Sequence, residues 1–393
     1  MTLPIAREPD TARLPDLVCL SHLRWDFVYQ RPQHLLSRFA RERRVFYVEE
    51  PMFDAAEPYL QVERREDGLF LAVPHLVWGA WDDVDRVQGE LLDGLLGDHG
   101  VRDFVLWYYT PIPVAFAGHL RPLATVYDCM DELSAFKNAT PVMVEREAEL
   151  LRRADLVFTG GQSLYEAKRD RHPRVYAFPS SIDAAHFAQA REHAAEAGAA
   201  AGRPRLGYYG VIDERMDLEL LAGVADARPD WEIVLVGPVM KIEEGDLPRR
   251  PNLHLPGGAE YARLPEIVAG WDVALIPFAL NESTRFISPT KTPEYLAAGK
   301  PVVSTPIRDV VRPYGDQGLV RIASTVPELV AAVEAALAED AATRAAWLER
   351  VDAFLAGTSW DLTWRAMDEL VEGAAPGWNG DAGAPEDDEL AAD

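Results

Sequence analysis

The chain has 393 residues, of which 48% are hydrophobic and 26% are charged. These proportions are typical of a soluble globular protein of two or three domains. The formal net charge of −25 repels phosphate backbones, so the composition disfavours a nucleic-acid-binding protein. The chain has only two cysteines, Cys19 and Cys129, which excludes a disulfide framework and favours a reducing compartment.

The two ends of the sequence carry no membrane-spanning or export signal. The first sixteen residues lack the basic start and apolar core of a signal peptide. No apolar run approaches the roughly 20 residues that a bilayer-spanning helix needs. We therefore expect a cytoplasmic protein. Acidic residues among Gly, Ala and Pro fill residues 376–393, which we predict to be a disordered acidic tail.

Short β-rich apolar runs alternate with helical patterns along the first half of the chain. This alternation predicts an α/β protein with parallel sheets covered by helices. We assign residues 1–188 to an amino-terminal Rossmann-like lobe. Its predicted strands lie at 17–20, 45–48, 104–108, 125–127, 156–159 and 175–177, and its main helices at 32–43, 80–97 and 141–153.

The second half repeats the pattern after residues 189–204, which are rich in Ala and Gly and are predicted to be an interdomain linker. We assign residues 205–356 to a second Rossmann-like lobe and residues 357–375 to a helix that packs back on the first lobe. The predicted strands of the second lobe lie at 205–209, 232–236, 253–255, 273–277 and 302–304, and its last two helices at 326–337 and 341–356.

Ligands of open α/β sheets bind beyond the carboxyl ends of the strands, so two facing lobes predict a site in the cleft between them. The strongest candidate segment is 273–305, in which a buried strand, a polar loop, a short helix, Gly299 and a second buried strand follow one another. Gly299 suits the left-handed end of the helix. The helix begins either at Pro293, capped by Thr292, or about one turn earlier near Ser288.

In either placement the helix start offers backbone N–H groups, near Ser288 and Thr290, that form an anion site. Lys291 adds a positive charge to that site. Glu294 lies one helical turn further on, and its carboxylate can accept both hydroxyl protons of a ribose. These features together predict a site for a nucleotide diphosphate. The alternative is that Lys291 and Glu294 form an ordinary exposed i, i+3 ion pair.

The run SPTKTPEYLAAGKPVVST at 288–305 resembles the donor-binding segment of GT-B glycosyltransferases of the group 1, or family 4, set. In that family the carboxylate of the Glu-Tyr-Leu-Ala-Ala-Gly-x-Pro-Val-Val run binds the donor ribose, so the resemblance implies this role for Glu294. The first Glu of the family's Glu-x7-Glu pattern falls at Phe286 here. The Pro-x-Lys sequence is instead similar to bacterial transferases of cell-surface polysaccharide synthesis, where such a Lys meets the diphosphate, as is implied for Lys291.

The resemblance extends over about residues 17–370 and implies the GT-B fold, in which two Rossmann-like lobes face each other across a cleft. The segment 21–51 resembles the start of the acceptor lobe in teichuronic-acid-type transferases. The resemblance also implies diphosphate contacts and a loop near the nucleotide base. The donor-side residues expected from these matches, with Arg285 of the preceding loop as a further diphosphate contact, are Gly210, Arg215, Gly257, Gly258 and Arg285.

Two carboxylates of the first lobe are candidates for the catalytic base. Asp128 and Asp131 follow a predicted strand in the run YDCMDE, where the cleft is expected. An inverting transferase needs a base that accepts the acceptor's proton, and an aspartate suits this role. The alternative is that one of them caps the following turn. We favour Asp131.

Three further residues, Trp25, Arg31 and His34, follow the first predicted strand and are candidates for the acceptor side of the cleft. The alternatives are packing for Trp25 and a local ion pair for Arg31. The Asp83-Val84-Asp85 run spells a metal-binding Asp-x-Asp pattern, but it lies at a helix start, so we expect no metal there. Four basic residues at the end of the first helix form either a solvated face or a contact with anionic lipid: Arg38, Arg41, Arg43 and Arg44.

The sequence therefore predicts a metal-independent glycosyltransferase without a cofactor, which moves a sugar from a UDP- or GDP-linked donor to a glycan or lipid-linked acceptor. It would work in the cytoplasm, with peripheral contact to the inner membrane face. A nucleotide-sugar epimerase of the same fold would form product without an acceptor, and an inactive sugar-nucleotide-binding protein would turn nothing over. A nicotinamide dehydrogenase is disfavoured because no strand runs into Gly-x-Gly-x-x-Gly.

Overall fold

Two parallel sheets, each covered by helices, organise the chain in the computed structural model, which describes residues 14–135, 140–197 and 202–380. Within these ranges no helix is long and apolar enough to cross a membrane. Most of the predicted acidic tail, residues 381–393, lies outside the described residues.

The amino-terminal sheet contains nine strands within the described residues, in the order β3-β5-β2-β1-β6-β7-β8-β9, with β4 antiparallel to β5. Its strands are β1 Asp16–Leu20, β2 Val45–Val48, β3 Met52–Ala55, β4 Tyr59–Arg64, β5 Leu69–Val77, β6 Phe104–Tyr108, β7 Ala124–Cys129, β8 Leu156–Thr159 and β9 Val175–Ala177. The helices around it are α1 Arg31–Ala40, α2 Val84–Asp98, α3 Val114–Ala117, α4 Pro141–Arg153 and α5 Gln162–Lys168.

The carboxyl-terminal sheet is parallel throughout, in the order β12-β11-β10-β13-β14-β15 among the described residues. Its strands are β10 Arg205–Tyr209, β11 Glu232–Val236, β12 Leu253–Gly257, β13 Val273–Ile276, β14 Val302–Ser304 and β15 Arg321–Ile322. The helices of this half are α6 Ala184–Ala197, α7 Leu218–Ala227, α8 Leu264–Ala269, α9 Lys291–Ala297, α10 Arg308–Val310, α11 Val326–Leu337, α12 Ala341–Leu355 and α13 Trp360–Glu372.

The central strands follow directly from the apolar runs of the sequence. Every residue of β1, β6 and β13 is buried, because a parallel strand covered by helices on both faces is almost continuously apolar; the one charged residue of these strands, Asp16, pairs with Arg44. Four strands of the structure were not predicted: β3, β4, β5 and β15. Strands β3 and β4 are largely exposed, so they lack the apolar signal that identifies a buried strand. Strand β5 is mostly buried and was missed despite its apolar run.

The predicted linker at 189–204 is wrong in its first half, because α6 runs through residue 197. Alanine is the strongest helix former, and this helix contacts α8 and α9. Ile182, Phe187 and Ala190 are buried in the core of the carboxyl-terminal lobe. The chain therefore enters that lobe near residue 182, before the predicted boundary at 188.

The end of the described chain returns to the amino-terminal lobe. Trp360, Met367 and Val371 of α13 are buried in the core of that lobe, and the Trp360 indole stacks on the His34 ring at 4.6 Å between centroids. Trp378 is also fully buried, so the first residues of the predicted tail are ordered. Burial of the Trp378 indole and its cation–π contact with a guanidinium stabilise this segment against the amino-terminal lobe.

Arginines near the end of α1 and just after it contact this returning segment and the start of the sheet. The Arg43 guanidinium lies 3.5 Å from the Trp378 ring centroid and donates to the Trp378 carbonyl at 2.8 Å. Arg38 donates to Asp361 at 2.7 Å, and Arg44 pairs with Asp16 at 2.5 Å. Three of the four arginines considered for a lipid contact are thus engaged within the protein.

We expect Trp360→Ala to lower the free energy of unfolding by about 3–5 kcal/mol, because it empties a large site in the core. Leu362→Ala on the same helix is the control: Leu362 is 47% exposed, so its removal should change stability by no more than about 0.5 kcal/mol. Chemical denaturation followed by circular dichroism measures both. Equal effects of the two substitutions would contradict the observed packing of α13.

Candidate active site

The carboxyl end of β10 and the start of α9 meet in the carboxyl-terminal lobe. Gly210 follows β10 with φ of +130°, and a Cβ atom placed on it would lie 2.2 Å from Cε and 2.7 Å from Nζ of Lys291. A Cβ atom on Gly237 would lie 1.9 Å from the Gly210 carbonyl oxygen. Only glycine therefore allows this close approach of two loops and a lysine.

The ammonium of Lys291 is enclosed without an ion pair. Its Nζ lies 5.6 Å from the Tyr208 ring centroid, and no carboxylate among the described residues lies within 4.0 Å of it. Burial lowers the pKa of Lys291, against the opposing effect of the Glu294 carboxylate. A buried cation without a bonded counter-ion is an attractive site for an anion.

Glu294 lies on the same helix and is buried. The hydroxyl of Tyr209 donates a hydrogen bond to Oε2 of Glu294. Burial raises the pKa of Glu294, although the Tyr209 hydrogen bond and the Lys291 charge both favour the ionised form. The two residues do not form the exposed surface ion pair of the alternative, since Glu294 is buried, Lys291 is half-buried and no Lys291–Glu294 contact within 4.0 Å occurs.

The helix α9 begins at Lys291, with Thr290 at its N-cap position, between the two predicted starts at Pro293 and near Ser288. It ends as predicted, since Gly299 has φ of +72°. Ser288 lies at the boundary between the lobes, where its carbonyl accepts a hydrogen bond from the Ser180 hydroxyl at 2.7 Å. The predicted anion-binding turn is therefore at the cleft.

Arg215 adds a second cation near this turn. Its guanidinium donates to both carboxylate oxygens of Asp213, at distances from 2.7 to 3.1 Å. Burial opposes its charge, but the Asp213 hydrogen bonds raise the pKa of Arg215, so it stays cationic. Gly257 and Gly258 lie at the exposed end of β12. A Cβ atom on Gly257 would meet nothing within 4 Å, which leaves open space at this rim.

Asp131 lies on the opposite side of the cleft, in the amino-terminal lobe. Burial raises its pKa, and the cations that act on it, Arg215, Lys241 and Lys291, all belong to the carboxyl-terminal lobe. The adjacent Glu132 is held by the buried Lys168 at 2.6 Å. Asp131 is therefore the carboxylate of this loop that faces the predicted donor site.

Asp128, the other candidate base, lies in the interior. Its side chain is fully buried, and it accepts hydrogen bonds from Nε and Nη2 of Arg31 at 2.8–3.1 Å. The remaining Arg31 nitrogen donates to the Phe178 carbonyl at 2.8 Å. This geometry gives Asp128 and Arg31 a structural role, because neither can reach an acceptor in the cleft.

The other acceptor-side candidates are also packing residues. The Trp25 ring contacts Tyr47 edge-on at 5.0 Å. His34 is buried against Trp360, and burial lowers its pKa to about 3. Sequence patterns place these residues after the first strand, but they cannot show that their side chains pack inward. The packing alternative describes Trp25. The local ion pair considered for Arg31 is wrong, because its partner Asp128 lies 97 positions away.

Arg285 lies away from the predicted diphosphate. Its side chain is 65% exposed, 3.5 Å from the Glu282 carboxylate, and it borders an interlobe cavity of about 580 Å³ that Ser163 and Arg308 also line. Asp83 and Asp85 pair with Arg86 and Arg146 on the surface. No group of three or more metal-ligating side chains occurs among the described residues.

Three residues at the cleft were missed in the sequence: His22, Glu50 and Lys241. Burial lowers the pKa of His22 to about 4, with a further contribution from Lys241, and its Nδ1 atom is buried without a partner in the described structure. Burial raises the pKa of Glu50, which Arg24 and Lys241 oppose. His22, Glu50 and Lys241 lie shortly after the carboxyl ends of β1, β2 and β11, respectively. This position after a strand is the sequence signal that could have identified them.

The two lobes are in direct contact around this site. Asp309 of the carboxyl-terminal lobe accepts hydrogen bonds from the backbone N–H and the hydroxyl of Ser163, and Arg308 pairs with Glu166. The Tyr29 and Tyr261 rings stack across the interface at 4.5 Å. These contacts fix the cations of one lobe opposite Asp131 of the other.

Comparison with known proteins agrees with this geometry. Residues 203–339 match the family described as glycosyl transferases group 1. A putative teichuronic acid biosynthesis glycosyltransferase of Bacillus subtilis (strain 168) is 26% identical over 220 residues. That match covers 51% of this chain and 55% of the relative, so it spans about half of each protein.

Solved structures match over nearly the whole chain. An E. coli structure described as trehalose-6-phosphate bound with UDP-2-fluoro glucose has a TM-score of 0.68 at 14% identity, covering 92% of this chain and 99% of that one. Sucrose-phosphate synthase from Thermosynechococcus elongatus has a TM-score of 0.68 at 15% sequence identity, and the match covers 91% of this chain and 98% of that one. Anabaena Alr3699/HepE in complex with UDP and glucose has a TM-score of 0.63 at 14% identity, and the match covers 91% of this chain and 99% of that one.

These likenesses confirm the predicted fold class, with two Rossmann-like lobes facing across a cleft. The family match falls on the lobe that carries Gly210, Lys291 and Glu294. The chain therefore has the GT-B fold, and residues 203–339 of its carboxyl-terminal lobe match the group 1 glycosyl transferases.

Proposed function

We propose that this protein transfers a sugar from a nucleotide-diphosphate donor, UDP- or GDP-linked, to a glycan or lipid-linked acceptor of the cell surface. The observation that carries the proposal is the half-buried Lys291 ammonium, which lies over Gly210 and, among the described residues, has no carboxylate within ion-pair distance. A diphosphate would supply the bonded counter-charge that this cation lacks.

The donor would bind along the carboxyl-terminal side of the cleft. Its diphosphate meets Lys291 and the start of α9, with the Arg215 charge nearby. Its ribose hydroxyls donate to the Glu294 carboxylate, which lies one helical turn further on. The base extends toward Gly257 and Gly258, where the structure is open.

Sugar transfer would then occur between the two lobes. In a direct displacement, the acceptor hydroxyl gives its proton to Asp131 while its oxygen bonds to the anomeric carbon. The bond from that carbon to the diphosphate breaks, and its electron pair leaves with the diphosphate. Lys291, Arg215 and the helix start stabilise this growing negative charge, which is the contribution that a metal makes in other transferases.

The acceptor class is supported by the relative whose name places it in teichuronic acid biosynthesis, and the donor class by the matched structures that hold UDP or a UDP-sugar. We place the reaction in the cytoplasm, with peripheral attachment to the inner membrane face when the acceptor is lipid-linked. Arg38, Arg43 and Arg44 form contacts within the protein, so we do not propose them as the surface for that attachment.

The donor proposal is tested by replacing Lys291 with alanine. We expect the affinity for the preferred nucleoside diphosphate to fall by about 10- to 100-fold, as for a lost charge-assisted hydrogen bond of roughly 1.5–3 kcal/mol. A thermal-shift screen of UDP, GDP, ADP and their sugars, followed by titration calorimetry, measures this. Arg312→Ala is the control, because Arg312 is an exposed cation of the same lobe. If no nucleotide raises the melting temperature of the wild type, the donor assignment is wrong.

Donor affinity should depend on pH with two limbs. Glu294 must be ionised to accept the ribose hydroxyls, and its raised pKa moves the acid limb above the ordinary glutamate value near 4.3. Lys291 must be protonated, and its lowered pKa moves the alkaline limb below the ordinary lysine value near 10.4. Calorimetric titrations across pH measure both limbs. Glu294→Gln should abolish the acid limb and retain the alkaline one; an unchanged profile would contradict the assigned role.

Asp131→Asn and Asp128→Asn should fail in different ways. Asp131→Asn should reduce turnover by about 10²- to 10⁴-fold through loss of the base, with the melting temperature and donor affinity retained. Asp128→Asn should destabilise the fold by about 3–5 kcal/mol, because it leaves the buried Arg31 charge uncompensated. Turnover is followed as acceptor-dependent release of the nucleoside diphosphate. Product formed without an acceptor would indicate an epimerase instead.

A further inference from the structure

Three aromatic side chains form an exposed cluster on the amino-terminal lobe, which we call the aromatic platform: Phe53, Trp78 and Trp81. Trp78 is 74% exposed and Trp81 is 52% exposed. The Phe53 ring lies 4.7 Å from Trp81 and 6.4 Å from Trp78, and the two indoles lie 5.2 Å apart at 75°. Large exposed apolar side chains in contact with one another mark an interaction surface.

The platform lies at the cleft end of its sheet. The strand β5 runs parallel to β2 and pairs with it through Ala72, then extends to Val77, so Trp78 follows a strand that projects beyond the end of β2. Phe53 is three residues from Glu50, whose carboxylate is influenced by Lys241 of the opposite lobe. Three residues span at most about 11 Å, so the platform borders the mouth of the cleft.

The charges around the platform are acidic. Its flanking carboxylates are Asp54, Glu57, Asp82 and Asp83, and no lysine or arginine occurs at positions 52–63 or 66–85. Three arginines of this part of the lobe are engaged in ion pairs: Arg24 with Glu49 at 2.8 Å, Arg65 with Asp26, and Arg86 with Asp83 and Glu90. An anionic bilayer or a polyanionic chain would be repelled here.

An uncharged sugar chain fits both features. The apolar face of a pyranose ring packs on an aromatic ring, and its hydroxyl groups donate hydrogen bonds to carboxylates. We propose that the aromatic platform binds the glycan part of the acceptor, so that an uncharged oligosaccharide lies across Trp78 and Trp81 while its end reaches Asp131. This inference rests on the proposed function for the acceptor's identity, but glycan binding itself can be measured without transfer.

The first experiment measures binding to the intact chain without nucleotide. Maltoheptaose, cellohexaose and chitohexaose in the N-acetylated form are titrated and followed by tryptophan fluorescence and saturation-transfer NMR. We expect at least one of these oligosaccharides to bind, with saturation transferred from the protein to the protons of its sugar rings. The combined Trp78→Ala and Trp81→Ala variant should weaken that binding by about tenfold or more, which corresponds to about 1.4 kcal/mol.

Leu362→Ala is the control, because Leu362 is also an exposed apolar side chain but lies on α13. It should bind the same oligosaccharide as the wild type does. The melting temperature of the double variant should equal that of the wild type, since both indoles are largely exposed. A single Trp78→Ala variant gives a milder substitution at the more exposed position and should weaken binding as well.

The second experiment uses vesicles of phosphatidylcholine, alone or with one quarter phosphatidylglycerol. We expect no co-sedimentation that depends on Trp78 and Trp81. If the wild type binds none of the oligosaccharides, or if the double variant binds them unchanged, the inference is overturned. Tryptophan-dependent co-sedimentation with vesicles would overturn it in favour of a membrane surface. Donor affinity is measured separately, so loss of the donor site would not be mistaken for loss of the platform.

Discussion

The enclosed ammonium of Lys291 is the constraint on which the site depends. Removing a cation from water costs several kcal/mol unless a counter-charge compensates it, and here no carboxylate among the described residues is bonded to it. Lys291 nevertheless packs over Gly210, and its ammonium lies beside the Tyr208 ring. A desolvated cation with no bonded carboxylate binds an anion more strongly than one that already forms an ion pair.

Charge is divided between the two lobes. The carboxyl-terminal side contributes Lys291, Arg215 and Lys241 together with the carboxylates Asp213 and Glu294, whereas the amino-terminal side contributes Asp131 and Glu50 together with Arg24. Under the proposed function, a diphosphate would be attracted to the cations of the first wall, which would leave the opposite wall to the acceptor.

Much of the remaining polar sequence serves the architecture. The pair of Arg31 and Asp128 is buried in the amino-terminal lobe, and Arg43 holds Trp378 by cation–π contact. The chain crosses between lobes near residue 182 and returns before α13, so each lobe contains residues from the other half of the sequence. Interlobe bonds such as Asp309 with Ser163 then keep the two walls of the cleft opposed.

The sequence by itself predicted most of the central strands and the helix that carries Lys291 and Glu294, because continuous apolar runs and a glycine helix end are local signals. Strands β3 and β4 gave no such signal, since exposed edge strands are polar, and the extent of the Ala-rich α6 depends on its contacts with α8 and α9 as well as on helix propensity. Only the tertiary structure separated Asp128, which is buried against Arg31, from Asp131. Both follow the same strand, and burial against Arg31, a partner 97 positions away, is a property of the folded chain that local sequence cannot contain.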